Sequence, residues 1–187
     1  MKVAVYCSSR ADLDREYEDL AFLLGSWIGQ HQCELVYGGV NAGLMHSVAQ
    51  SAHDSGAKVV GVVPEVFSHR VDELCDEVIF SADLNDRKAK MISIADVFVV
   101  LPGGIGTIDE WISTLSHIVV MQSKEPNYDK PILVVNLNGI YDSLIQQIAT
   151  TSSSVFARGK GIECSIIVSN GDELSNQLDN IISMFEK

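Results

Sequence analysis

Short apolar runs rich in β-branched residues alternate along this chain with longer segments whose apolar residues recur at helical spacing. The runs predict strands at residues 3–7, 34–37, 58–63, 77–80, 97–101, 132–136 and 165–168. The segments between them predict helices at residues 14–30, 41–55 and 84–94, from Thr107, from Tyr141 and at the end of the chain. Strict alternation of this kind is typical of an α/β fold, in which helices flank a doubly wound, mainly parallel sheet.

The length and charge of the chain narrow the possible partners. A chain of 187 residues suits one domain, because domains of roughly 100 to 200 residues are typical, and we predict a single Rossmann-like domain over residues 1–187. The formal net charge of −12 argues against DNA or RNA polymers, whose phosphate backbones are bound by clustered Lys and Arg. No signal-peptide pattern opens the chain, and no apolar stretch approaches the roughly 20 residues of a membrane span. We therefore expect a cytoplasmic protein with no membrane partner.

A glycine-rich segment follows the predicted strand at residues 97–101 and leads into a helix. Its glycines leave backbone N–H groups accessible, and Thr107 is predicted to cap a helix whose positive end faces the loop. The segment therefore predicts an anion site, made by Pro102, Gly103, Gly104, Ile105, Gly106 and Thr107. Glu110 lies one turn further on, where a carboxylate would repel a phosphate, so its expected partner is another part of the ligand.

The same segment has a simpler interpretation. It is also compatible with a strand-turn-helix joint in which Glu110 is only a helix N-terminal charge, worth roughly 0.3 to 1 kcal/mol. The basic cluster around Arg87 and Lys88 favours the anion site, because arginine offers a planar fork to phosphate or carboxylate. The Ser8-Ser9 loop and the turn at Gly39 also follow predicted strands, and ligands of doubly wound sheets bind outside the carboxyl ends of the strands. These loops therefore predict one shared crevice.

Several motifs resemble those of one known family. Residues 102–110 match the pattern PGG-x-GT-x-x-E, and further likeness covers residues 5–9, 37–39, 86–91, 130–131 and 138–142. On these residues the chain resembles the LOG family, the cytokinin riboside 5'-monophosphate phosphoribohydrolases. The resemblance implies hydrolysis of the N-glycosidic bond of a nucleoside 5'-monophosphate, AMP or an N6-substituted AMP, with no cofactor. It also implies a homodimer.

The resemblance assigns roles to individual residues. Arg87 and Glu110 would be catalytic, with Arg87 lowering the pKa of Glu110 and so keeping it ionised. The substrate would be bound by Ser9, Gly39, Lys88, Pro102, Gly103, Gly104, Ile105, Gly106 and Thr107. Where the family has glycine, glycine and histidine, this chain has Val40, His46 and Asn85. These differences concern the residues expected to recognise the base and the sugar of the substrate.

Other chemistries find less support in the sequence. The five histidines show no paired metal spacing, so no metal site is expected, and His46 and Asp72 are interpreted as solvated side chains. The loop after the first strand lacks the Gly-x-Gly-x-x-Gly fingerprint of a dinucleotide site, and no lysine lies in a recognisable pyridoxal-phosphate context. The main alternative is a phosphate-ligand binding protein without turnover, resembling molybdenum-cofactor carriers.

The apolar helix after the glycine-rich segment allows two interpretations. Its apolar residues could form a dimer contact or an ordinary core face, and they are Trp111, Ile112, Leu115 and Ile118. An acidic interaction module is a third functional class, but no exposed repeat or charge run supports it.

Overall fold

Seven strands form one sheet in the computed structural model, which describes residues 1–155, 157 and 161–185. The strands are β1 (Lys2–Tyr6), β2 (Glu34–Tyr37), β3 (Lys58–Pro64), β4 (Glu77–Ser81), β5 (Val97–Val100), β6 (Ile132–Val135) and β7 (Ser165–Val168). Their order is β4-β3-β2-β1-β5-β6-β7, and all six neighbouring pairs run parallel. The predicted fold class, a doubly wound α/β sheet flanked by helices, is confirmed.

Within the described part of the chain, six α-helices connect the strands or follow the last one. They are α1 (Arg15–Gln30), α2 (Gly43–Asp54), α3 (Leu84–Ile94), α4 (Ile105–Gln122), α5 (Asp142–Ser152) and α6 (Gly171–Phe185). Short 3₁₀ turns, which the sequence did not predict, lie at Glu65–Arg70, Leu137–Gly139 and Gly161–Cys164. The prediction that Thr107 caps a helix is wrong: α4 begins at Ile105, after an extended Gly104. The glycine-rich loop leaves the extended conformation immediately after Gly104, so Thr107 lies inside the first helical turn.

The apolar core lies on both faces of the sheet. On one face α1, α2 and α6 pack against the strands through residues such as Leu24, Val48 and Leu178. On the other face α3 and α4 pack through residues such as Met91 and Trp111. Two covered faces explain why the central strands β1, β5 and β6 read as continuous apolar runs rather than as alternating patterns.

The burial of the apolar residues of α4 favours the interpretation that they form a core face. Trp111, Leu115 and Ile118 are buried within the chain, while Ile112 is half-buried. Within the described residues, no helix is both long enough and apolar enough to cross a lipid bilayer.

The strand order reverses at the centre of the sheet. From β1 the chain builds outward through β2, β3 and β4, and it then returns to place β5 on the other side of β1. Tyr6 at the end of β1 is in register with Val100 at the end of β5, so both strands end at the same level. Loops that leave two such strands in opposite directions open a crevice, the usual ligand site of this architecture.

Candidate functional site

A cleft of about 310 Å³ lies at this reversal point. It is lined by Cys7, Ser8, Ser9, Arg10, Met45, Arg87, Gly104, Gly106, Thr107 and Glu110. The structure thus brings together six of the residues that the sequence predicted, which are Ser9, Arg87, Gly104, Gly106, Thr107 and Glu110. Four different loops and helix starts supply the lining, and all of them belong to the carboxyl edge of the sheet.

Other predicted residues lie near the cleft but do not line it. They are Gly39, Lys88, Pro102, Gly103 and Ile105. Gly39 has a φ of +67°, and a Cβ there would lie 2.4 Å from the Val63 side chain, so this glycine serves the packing of the turn on β3. The Lys88 Nζ donates to both carboxylate oxygens of Asp109, at 2.8 and 2.7 Å. Ile105 is 82% exposed.

The sequence did not predict three of the lining residues, Cys7, Arg10 and Met45, whereas it placed Ser8 with Ser9 in a loop at the ligand-binding edge. For Arg10 a signal existed, because it follows the same loop at that edge. Cys7 continues the apolar run of β1 and gave no polar signal. Met45 lies in the first turn of α2, and its approach to the cleft depends on how that helix packs.

The first turn of α4 borders the cleft with unpaired backbone donors. The N–H groups of Ile105, Gly106 and Thr107 have no carbonyl acceptor within the helix. Ile108 is the first residue of α4 whose N–H donates to a carbonyl one turn earlier, that of Gly104, at 3.0 Å. Among the residues that the structure describes, no side chain caps this end of α4. With the dipole of an 18-residue helix behind them, these groups favour an anion.

Arg87 and Glu110 form an ion pair on the floor of the cleft. Arg87 lies in the first turn of α3, which Asp83 caps by accepting the N–H groups of Asn85 and Asp86, each at 2.8 Å. The Arg87 Nη2 donates to Glu110 Oε1, which joins the starts of α3 and α4. Only 9% of Arg87 and 3% of Glu110 is exposed. A buried pair of this kind gives up hydration of both charges, so it is weak evidence for a purely stabilising role.

One donor of Arg87 lacks an acceptor. The buried Nε of Arg87 makes no hydrogen bond to any residue that the structure describes. A buried N–H group without a partner is costly and calls for an explanation. An acceptor oxygen of a ligand in the cleft would satisfy it.

Burial shifts the ionisation of Glu110 upward. Loss of solvent raises the pKa of Glu110 to about 7, although the nearby Arg87 guanidinium lowers it. The expectation that Arg87 sets a lowered pKa for this carboxyl group is therefore wrong, because desolvation outweighs the charge of the partner. Glu110 consequently changes protonation near neutral pH.

This shift predicts an unusual dependence of stability on pH. Between its ordinary pKa of 4.5 and the native value of about 7, the folded state binds more protons at Glu110 than the unfolded state does. The contribution of Glu110 to the free energy of unfolding should therefore fall as pH rises through this window. Urea denaturation of the wild type and of Glu110→Gln across the window measures it.

The matched control is Glu18→Gln, which removes an exposed carboxylate from the first turn of α1. We expect the stability difference between the wild type and Glu110→Gln to change with pH, and that between the wild type and Glu18→Gln to stay nearly constant. Parallel pH curves for all three proteins would contradict the raised pKa.

The interpretation of Asp72 as a solvated charge is wrong. Asp72 is buried and accepts hydrogen bonds from His46 Nδ1 at 2.9 Å and from the Leu74 N–H at 3.2 Å. The chain after β3 folds back over the turn between β2 and α2, where the Asp72 N–H donates to the Gly39 carbonyl at 2.9 Å. His46 is therefore half-buried and paired, and it holds this segment in place.

A second cavity, of about 270 Å³, lies between α4 and α5. Its described lining, which includes Ile112, Leu115 and Ile148, contains no charged side chain. Across the part of the chain that the structure describes, no three His, Cys, Asp or Glu side chains are grouped so that they could hold a metal ion.

The fold and the cleft together define a class: a doubly wound α/β protein with a helix start and a buried Arg-Glu pair at the reversal of strand order. A family model described as "Possible lysine decarboxylase" matches residues 45–178. The chain belongs to this family, the LOG family.

Curated relatives match almost the whole chain. The cytokinin riboside 5'-monophosphate phosphoribohydrolase LOG3 of Arabidopsis thaliana is 31% identical over 188 residues, covering 100% of this chain and 85% of that protein. LOG4 of the same plant is 33% identical, covering 95% and 81%. The enzyme LOG of Oryza sativa is 31% identical, covering 99% and 75%.

Solved structures with this fold include molybdenum cofactor proteins. The molybdenum cofactor binding protein of Rippkaea orientalis superposes with a TM-score of 0.74 at 20% identity, covering 97% of this chain and 96% of that one. The molybdenum cofactor carrier protein of Chlamydomonas reinhardtii gives 0.73 at 17% identity, covering 97% and 98%. At these identities the likeness shows the fold.

Proposed function

We propose that the protein hydrolyses the N-glycosidic bond of a nucleoside 5'-monophosphate, AMP or an N6-substituted AMP, to the free base and ribose 5-phosphate. The observation that carries the proposal is the buried Arg87–Glu110 pair on the floor of a cleft bordered by the free N–H groups of α4. The names of the curated relatives support the same reaction class.

In this proposal the phosphate anchors the substrate. It lies against the N–H groups of Ile105, Gly106 and Thr107, with the hydroxyl groups of Thr107 and Ser9 as further donors. Anchoring at the phosphate positions the ribose, since binding energy from a non-reacting part of the substrate can be used to orient the reacting centre. The anchor lies within one helical turn of Glu110, so C1′ of the ribose falls near its carboxylate.

The bond between C1′ and the base nitrogen breaks with its electron pair leaving on the base. Positive charge then develops on the ribose, and the ionised Glu110 stabilises this oxocarbenium character as carboxylates do in glycoside hydrolysis. A water molecule orients against Glu110, its oxygen bonds to C1′, and its proton passes through the carboxylate toward the departing base. Water is thus consumed, and no oxidant or other co-reactant is required.

Arg87 supports this chemistry in two ways. Its guanidinium opposes the effect of burial on Glu110, so that a useful fraction stays ionised near neutral pH. Its Nε, which is buried and unsatisfied in this structure, donates to a ribose or phosphate oxygen once the substrate is bound. The pairing with Glu110 and the contact with substrate use different nitrogens.

A screen for released base over nucleosides and their mono-, di- and triphosphates tests the proposal. We expect kcat/KM for the preferred monophosphate to exceed that of the matching nucleoside by about 100-fold or more, because the nucleoside cannot use the phosphate anchor. Di- and triphosphates should also be much poorer substrates. Equal rates for AMP and adenosine would contradict the phosphate anchor, and the ranking of bases in the same screen identifies the preferred one.

The alternative is a carrier that binds a phosphate-bearing ligand and leaves it intact. The retained Arg87–Glu110 pair favours the enzyme, since a carboxylate beside the anion site weakens phosphate binding and is useful for catalysis. A purified sample that carries a pterin cofactor and releases no base from any nucleotide would establish the carrier instead.

A further inference from the structure

Arg10 is an exposed cation on the wall of the cleft. It belongs to the loop that follows β1 and lines the cleft together with the first turn of α4. The sequence-based set of binding residues contains its neighbour Ser9 but not Arg10.

The backbone around Arg10 is held in place. The Arg10 N–H donates to the Ser8 hydroxyl at 3.1 Å. Gly43 at the start of α2 has a φ of +51°, and a Cβ there would lie only 2.4 Å from the Arg10 carbonyl oxygen. The loop therefore packs directly on α2, and it presents Arg10 at a defined place on the edge of the cleft.

The three cations of α3 are already paired. Arg87 binds Glu110, Lys88 binds Asp109, and Lys90 binds Asp86. Arg10 forms no ion pair with any acidic side chain that the structure describes. In a chain with a net charge of −12, an unpaired arginine on the wall of this cleft is a notable local charge.

The charge of the expected ligand calls for such a group. A phosphate monoester carries about −1.5 to −2 charges near neutral pH. The start of a helix supplies roughly half of an elementary positive charge. When Glu110 is ionised, its negative charge offsets the positive charge of Arg87. The helix start and Arg87 together therefore balance only a small part of the phosphate charge.

We infer that Arg10 binds the phosphate group across the cleft from the first turn of α4 and thereby determines the selectivity for phosphorylated substrates. The planar guanidinium offers two parallel N–H donors to two phosphate oxygens, while its flexible stem reaches in from the rim. The inference rests on the proposed function for its substrate class. It adds a binding residue that the sequence motifs did not indicate.

Steady-state kinetics of Arg10→Gln and Arg10→Lys test this inference, with AMP and adenosine as substrates. Arg10→Gln should raise KM for AMP roughly tenfold or more, with little change in kcat, because a charge-assisted contact to the phosphate is lost. Its kcat/KM for adenosine should stay unchanged, and Arg10→Lys should fall between the wild type and Arg10→Gln. The matched control is Arg15→Gln, which removes an exposed arginine that pairs with Asp19 outside the cleft.

An unchanged KM for AMP in Arg10→Gln would overturn the inference. An equal fall in kcat/KM for AMP and for adenosine would also overturn it, because it would mean that the substitution has only displaced the loop. The proposed function can fail separately, if the wild type releases no base from any nucleotide. Calorimetry with AMP and with inorganic phosphate then decides the role of Arg10. Weaker binding in Arg10→Gln but not in Arg15→Gln would sustain it, whereas equal binding in all three proteins, or no binding to any, would overturn it.

Discussion

Replacing Glu110 by glutamine should lower kcat for base release by about 100-fold or more, the scale of a positioned acid-base group. The amide keeps the shape of the side chain and can still accept a hydrogen bond from Arg87. It carries no charge to stabilise an oxocarbenium ion and cannot take a proton from water. Binding of AMP should persist or become tighter, because the carboxylate repels the phosphate. Single-turnover kinetics and calorimetry separate the two effects.

The competing interpretation is that Glu110 is only a charge at a helix start. Glu18→Gln makes the same chemical change in the exposed first turn of α1, and it should leave both kcat and AMP binding unaltered. If Glu110→Gln released base at a rate near that of the wild type while its melting temperature fell, the carboxylate would be structural and the proposed mechanism would be wrong.

Replacing Arg87 by alanine should impair both turnover and binding. Without Arg87 the buried Glu110 loses the charge that opposes desolvation, so its pKa rises further above 7 and less of it is ionised at neutral pH. We expect kcat to fall by about 100-fold. The dissociation constant for AMP should rise as well, because the donor at Nε is removed. The optimum of the pH-rate profile should move to higher pH.

Lys90→Ala is the control for Arg87→Ala, since Lys90 lies on the same helix and pairs with Asp86 outside the cleft. The informative result is the contrast between variants: Glu110→Gln loses turnover and keeps binding, whereas Arg87→Ala loses both. If Arg87→Ala bound AMP as tightly as the wild type and kept its pH optimum, neither role assigned to Arg87 would hold.

Local pattern was sufficient for the architecture and for much of the site. The alternation of apolar runs and helical spacing depends on residues close together in the chain, and the parallel sheet followed from it through known rules of connection. Because the carboxyl ends of parallel strands meet at one edge, the sequence also placed Ser9, Arg87 and Glu110 near one another. The resemblance to the LOG family then selected Arg87 and Glu110 as a pair.

Properties that depend on the surroundings of a side chain were decided by the tertiary structure. Asp72 resembles a surface charge in the sequence, yet the segment that carries it folds over the turn between β2 and α2, where Asp72 is buried and paired with His46. The raised pKa of Glu110 reflects its burial in the folded chain. The unpaired charge of Arg10 stood out only when the three cations of α3 proved to be paired. The burial of a side chain and the balance of charges around it depend on segments that are distant in the chain. Periodicity and motifs depend only on residues that are close in sequence.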